Sequence, residues 1–234
     1  MNKEEIRNEI WATMEREGVA RFPGTRGRIP NFVGAERAAS LLMELPAWQG
    51  ARVIKANPDS PQGPARLLAL KEGKKVYMAV PRLRDERCFV ELDPARIRNL
   101  KEASSIKGAF KYGSQVSIDE VPEIDLVLCG SVAVNKEGAR VGKGGGYSDL
   151  EFALLTQVGR IKRETVIVTT LHPLQVVSHE IPMNPHDIPV DFIVTPEGII
   201  ETRTLYERPK GVYWDILPED KIEAVPILKR LGKS

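Results

Sequence analysis

The chain has 234 residues, 42% hydrophobic and 28% charged, an ordinary balance for a globular protein whose core needs no covalent staples. The 34 Lys and Arg nearly cancel the 32 Asp and Glu, and a net charge of +2 excludes any global electrostatic argument for nucleic acid or membrane. Cys88 and Cys129 sit in or beside apolar runs, the amino terminus is charged from Lys3, and no apolar stretch reaches membrane-span length, so a soluble, cytoplasmic protein with buried thiols is expected.

Residues 3 to 17 read as an amphipathic helix, with Ile6, Ile10 and Met14 recurring along it and Gly18 as its stop. Lys3 and Arg7 share one face, and at about 100° per residue Ile10 and Met14 fall within about 20° of that pair's mean direction. Two cations on an inward stripe are costly unless an anion meets them, although at a chain start both can also bend to solvent. The stretch FPGTRGRIPNFVG is a loop by its Gly, Pro and Arg content, and a second helix runs from about Ala35 to Leu45, closed by Pro46.

Six short apolar runs follow: ARVIKA, ARLLAL, KVYMAV, IDLVLC, TVIVTTL and VDFIVT. Each is apolar on both faces, as strands of a covered parallel sheet are. Helical stretches lie between several of them, at 94–104 and 149–158, which predicts a layered α/β fold with a mostly parallel sheet and helices on both faces. The stretch 96–113 interleaves Arg96, Arg98, Lys101, Lys107 and Lys111 with Phe110 and Tyr112. That pattern can grip single-stranded RNA, but its ordinary explanation is a solvated helix face. No repeat or linker divides the chain. A single domain over 1–234 is expected, its segment 206–234 losing the strand rhythm and wrapping the outside.

Between the fourth and fifth runs lies a glycine loop. Gly142, Gly144, Gly145 and Gly146 clear side chains from backbone that must approach something closely, Arg140 and Lys143 add charge, and Asp149 stands at a helix start. The combination suits a phosphate cradle; a flexible, solvated turn is the other reading. It is neither a Walker loop, since Glu137 and Gly144 occupy the positions of its first glycine and its Ser or Thr, nor a dinucleotide fingerprint, since Tyr147 replaces the third glycine. GKS at the carboxyl end lacks the required glycine at Ile227. The three histidines, His172, His179 and His186, are seven residues apart and make no local metal pair.

RVGKGGGYSD, residues 140–149, resembles the signature of the 5-formyltetrahydrofolate cyclo-ligases, Arg-apolar-Gly-x-Gly-x-Gly-Tyr-aromatic-Asp, at nine of its ten positions. PHDIPVDFIVT at 185–195 is similar to the family's His-Asp then Val-Asp segment, and KVYMAVPRL to its Gly-Lys, strand, Pro-Arg stretch. With RIPNF near the start and GVYW near the end, the chain resembles the branch of methenyltetrahydrofolate synthetase domain proteins.

The resemblance implies a doubly wound α/β domain of the cyclo-ligase, NagB/RpiA-like type. It also implies an ATP- and Mg2+-dependent closure of 5-formyltetrahydrofolate to 5,10-methenyltetrahydrofolate, in which a phosphoryl group moves to the formyl oxygen before the folate amine attacks. On that reading Lys3, Arg7, Arg140, Gly142, Gly144, Gly145, Gly146 and Ser148 hold the nucleotide, Asp149 and Asp191 hold magnesium, and Lys143 and Tyr147 act on the folate side with Asp59. His186 and Asp187 form a structural pair. The chain departs from the pattern at Ser148, where the second aromatic belongs, at residues 57–61, at YGSQV and at CGSVAVN. Most departures fall on the folate side, so the alternative is a nucleotide-binding or RNA-associated protein that kept the fold and lost the folate reaction. A reduced folate is the expected partner, nucleic acid stays secondary, and no oligomeric state is assigned.

Overall fold

The structure, a computed structural model, describes residues 1–232; Lys233 and Ser234, the end of the expected wrapping segment and of GKS, lie outside the described residues. An eight-stranded sheet runs in the spatial order Gly198–Glu201, Phe192–Thr195, Val166–Thr170, Leu126–Cys129, Val53–Ala56, Lys75–Ala79, Phe89–Leu92, Ser114–Val116. The second to sixth of these are mutually parallel, and the outer three pair antiparallel.

Side chains alternate cleanly between two cores. Ile54, Ala56, Val76, Met78, Leu126, Leu128 and Val168 join one buried cluster, with the first helix and the Ala35–Leu41 and Gly63–Lys71 helices. Tyr77, Ala79, Val127, Cys129 and Ile167 join the other, beneath Tyr147–Gln157 and the C-terminal segment. Burial on both faces is why these strands read as unbroken apolar runs. The fold is therefore α/β, with a largely parallel sheet and helices on both faces.

ARLLAL is not a strand but the middle of the Gly63–Lys71 helix. Pro64 suits a first helical turn, Ala, Leu and Arg are strong helix formers, and a parallel crossover is needed between Val53–Ala56 and Lys75–Ala79. The helix expected at 94–104 is also shorter and displaced. It splits into Leu100–Ala103 and Ile106–Tyr112, each N-capped by a side chain, Asn99 accepting from the Glu102 N–H and Ser105 from the Gly108 N–H. The first helix spans Lys3–Arg16 and is fixed at its start by a capping box between Asn2 and Glu5.

A small sheet, Val176–Val177, Ala133–Asn135 and Arg140–Val141, packs against the first helix and delivers the chain into the glycine loop. From Tyr206 onward, two short helices, Glu219–Ala224 and Pro226–Leu231, bury Val225, Ile227 and Leu228 in the second core. No helix among the described residues is long and apolar enough to cross a membrane.

Candidate functional site

The winding of the parallel strands reverses between Val53–Ala56 and Leu126–Cys129, which are paired neighbours although far apart in sequence. Such a reversal opens a crevice beyond the carboxyl ends of the strands, the usual ligand position in an open α/β sheet. Here those ends bring Asn57 and Asp59 beside Gly130: the Asn57 N–H donates to Leu128 O at 2.9 Å, and a Cβ added to Gly130 would lie 3.1 Å from Asp59 Oδ2. Arg66, fully buried, secures that turn by donating to Asn57 O at 2.7 Å and Asp59 O at 2.9 Å. Burial pulls its pKa down to about 10, partly offset by Asp59.

Arg140 enters the crevice from the small sheet. Its guanidinium is turned inward and donates to Gly130 O at 2.9 Å, Ile188 O at 3.3 Å and Asp149 Oδ1 at 2.6 Å. Burial, the largest single influence, opposes its charge, yet Asp149 together with Cys129 and Asp187 outweighs that cost and holds the guanidinium above its ordinary pKa. The Ile188 N–H donates to the same Asp149 oxygen at 3.1 Å. Arg140 thus orients Asp149 in the first turn of Tyr147–Gln157, instead of offering a free cation as the sequence suggested.

The two cations on the inward stripe are met by partners. Lys3 pairs with Asp187, whose carboxylate also accepts from the Asn184 N–H at 2.5 Å. Arg7 donates Nε–H to Gly142 O at 2.7 Å and Nη1–H to Glu4 at 2.8 Å, with its side chain 12% exposed. Gly144 has φ +103°, open to glycine and strained for other residues, and a Cβ there would lie 3.5 Å from Arg7 Cζ. Lys143 reaches across to Asp59 at 2.7 Å. Ser148 Oγ accepts from Asn57 Nδ2 at 3.0 Å. Tyr147 begins the helix, its ring 4.9 Å beneath the ammonium of Lys221, which donates to Gly145 O at 2.9 Å. A Cβ on Gly146 would fall 3.2 Å from that same nitrogen.

Asp191 stands apart from this group. It precedes the Phe192–Thr195 strand, at the amino-terminal edge of the parallel sheet, where it accepts two bonds from Arg208, at 2.8 and 2.6 Å, and one from the Ile167 N–H at 2.7 Å. The crevice opens at the other edge, so the structure does not bring Asp191 to Asp149. Asp187 is the second carboxylate near Arg140. No group of three or more His, Cys, Asp or Glu with metal-holding geometry occurs among the described residues. His186 Nε2 lies 3.9 Å from Asp187 Oδ1, and burial lowers the pKa of His172, whose Nδ1 accepts from the Leu174 N–H at 3.2 Å.

Sequence reasoning missed two lysines. Lys55, 1% exposed, donates to Glu151 at 2.5 Å and to Asn57 Oδ1 at 2.7 Å, joining the central strand to the helix that carries Asp149. Its signal was present: a lysine in the middle of ARVIKA is incompatible with burial unless a partner is supplied. Lys221 gave no signal, because its partners are about 75 residues away and no local pattern links them. The basic stretch 96–113 is partly neutralised locally, Lys111 pairing with Glu102 and lying over the Tyr112 ring.

A 5-formyltetrahydrofolate cyclo-ligase family model matches residues 1–196. The chain is 39% identical over 236 residues to the methenyltetrahydrofolate synthase domain-containing protein of Bos taurus, covering 99% of this chain and 62% of that protein. The Homo sapiens protein of that name is 36% identical over 238 residues, covering 99% of this chain and 61% of that one. The chain thus spans about three fifths of the length of these relatives. A solved structure of Aquifex aeolicus 5,10-methenyltetrahydrofolate synthetase is similar in fold, with TM-score 0.54 and 22% identity over 88% of this chain and 96% of that one.

Proposed function

The chain belongs to the 5-formyltetrahydrofolate cyclo-ligase family, and on that premise we propose that it converts 5-formyltetrahydrofolate to 5,10-methenyltetrahydrofolate with MgATP in the cytosol. The observation that carries this reading is the glycine loop 142–146, ringed by Arg7 from the first helix, Lys143 of the loop itself and Lys221 from the C-terminal segment. Four of its five residues carry no side chain, Lys143 turns its own to Asp59, and the atoms a Cβ on the glycines would meet belong to cations or to the Tyr147 ring. Such a cradle fits a chain of phosphates.

Phosphoryl transfer asks the protein chiefly for positioning and charge neutralisation, not for a nucleophile. Arg7 and Lys3 supply positive charge from one helix face, and the loop amides add hydrogen-bond donors. Asp149, held by Arg140 and the Ile188 N–H, is the carboxylate that would hold magnesium. Magnesium, when bound, neutralises charge on the phosphates. Arg140 acts here as a positioning residue, and Asp191 stays outside the site. Tyr147 offers an aromatic face to a flat pterin. Lys143 and Asp59, paired at 2.7 Å, exchange that bond for contacts to the reduced folate.

A second reading, a nucleotide-dependent relative acting on another compound or associating with RNA, is supported by one observation. Two departures from the family pattern, Asn57 and Ser148, are hydrogen-bonded to each other and through Asn57 to Lys55, a polar cluster on the folate side. Absorbance-monitored formation of the methenyl product with MgATP separates the two. Product with the native chain and none with Asp149→Ala supports the cyclo-ligase reading. Absence of product alongside calorimetric MgATP binding overturns the folate assignment and favours the second.

A further inference from the structure

Beside the glycine loop, between the start of the Tyr147–Gln157 helix and residues 212–221, lies a pocket of about 510 Å³ counting its open mouth. One wall is Leu150 and Ala153 of the helix; the other is Tyr213, Ile216 and Leu217 of the C-terminal segment. The family match stops at residue 196, so this second wall is supplied from beyond it.

We propose that this pocket takes the nucleoside of the nucleotide whose phosphates lie on the glycine loop, and that residues 212–221 act as its strap; the proposal rests on the nucleotide reading above. Three observations carry it. The pocket shares Gly146 and Asp149 with the loop, so a ligand with its phosphates in the cradle has its next chemical group at this opening. The walls are apolar, and Ile216 is 56% exposed, a large aliphatic side chain left uncovered on one side. A flat heteroaromatic ring covers such a surface with little entropic cost. The polar groups are few and placed for orientation. Lys221 ties the strap to the loop through Gly145 O at 2.9 Å, and His186 has a buried Nδ1 with no hydrogen-bond partner among the described residues.

The test compares calorimetric binding of MgATP and of magnesium tripolyphosphate to the full chain. Native protein is expected to bind MgATP at least about tenfold more tightly than tripolyphosphate. Ile216→Asp, on an exposed side chain that the fold does not need, is expected to weaken MgATP about tenfold and leave tripolyphosphate unchanged; Tyr213→Ala should do the same. Arg7→Ala, on the loop side, should weaken both ligands. Equal affinities of the native chain for the two ligands, or wall variants that leave MgATP unchanged or weaken both ligands alike, overturn the nucleoside pocket and spare the nucleotide reading. Binding of neither ligand to the native chain overturns that reading and the pocket with it.

Discussion

At the scale of single residues, the buried pair Lys55–Glu151 is the sharpest energetic feature near the site. Its two side chains are 1% and 8% exposed, and Asn57 takes a further lysine proton. Removing one member leaves the other charged and uncompensated, so Lys55→Met is expected to cost about 3–5 kcal/mol in urea denaturation. Lys55→Met with Glu151→Leu should recover most of that loss, since an apolar pair of similar volume needs no desolvated charge. A double variant no more stable than the single one would contradict this account. The thiols make a second case. Burial pushes Cys88 up to about 11 and raises Cys129 as well. At pH 8 both are protonated and shielded, so a thiol reagent should label neither in the native chain and both in urea. The same scale shows what a sequence carries. Lys3 and Arg7 were legible because their helical stripe pointed inward, and the structure gives each a partner there. Arg140 and Asp191 were legible as motif members only, and motifs do not say which way a side chain turns: Arg140 turned onto Asp149, and Asp191 onto Arg208 at the far edge of the sheet.

Among elements, a close backbone approach lies where Leu100–Ala103 meets Ile106–Tyr112. A Cβ on Gly108 would fall 1.7 Å from Glu102 O and 2.4 Å from its carbonyl carbon, both backbone atoms that cannot give. Gly108→Ala should therefore cost about 3 kcal/mol, read as a lowered Tm, because the two helices must separate. Gly144→Ala is of another kind. Its φ of +103° strains an L-residue by about 1–2 kcal/mol, and the added methyl stands next to Arg7, so MgATP affinity should fall more than stability does. Calorimetry beside thermal unfolding separates the two effects. Element type was readable wherever burial was two-sided, as in the central strands. It failed at ARLLAL because a short apolar run has no period to distinguish strand from buried helix, and the crossover requirement that decides it belongs to the sheet as a whole. The antiparallel outer strands were unseen for a related reason: Glu91 interrupts the buried Phe89–Leu92, and Ser114–Val116 and Gly198–Glu201 are partly exposed, so none has the unbroken apolar run.

For the whole molecule, the site is a product of topology. The reversal of winding between Val53–Ala56 and Leu126–Cys129 brings together the 57–59 turn and Gly130. The small sheet adds Arg140 and the glycine loop, the first helix adds Lys3 and Arg7, and the C-terminal segment adds Lys221. No local window of sequence contains these contacts, although the signature loop marks their centre. The most direct test of this arrangement is hydrogen–deuterium exchange of the full chain with and without MgATP. The account predicts slowed exchange in the amides of 142–149 and in the first helix, with no change around Asp191 and the Phe192–Thr195 strand. Protection centred on Asp191, with the glycine loop unaffected, would contradict it.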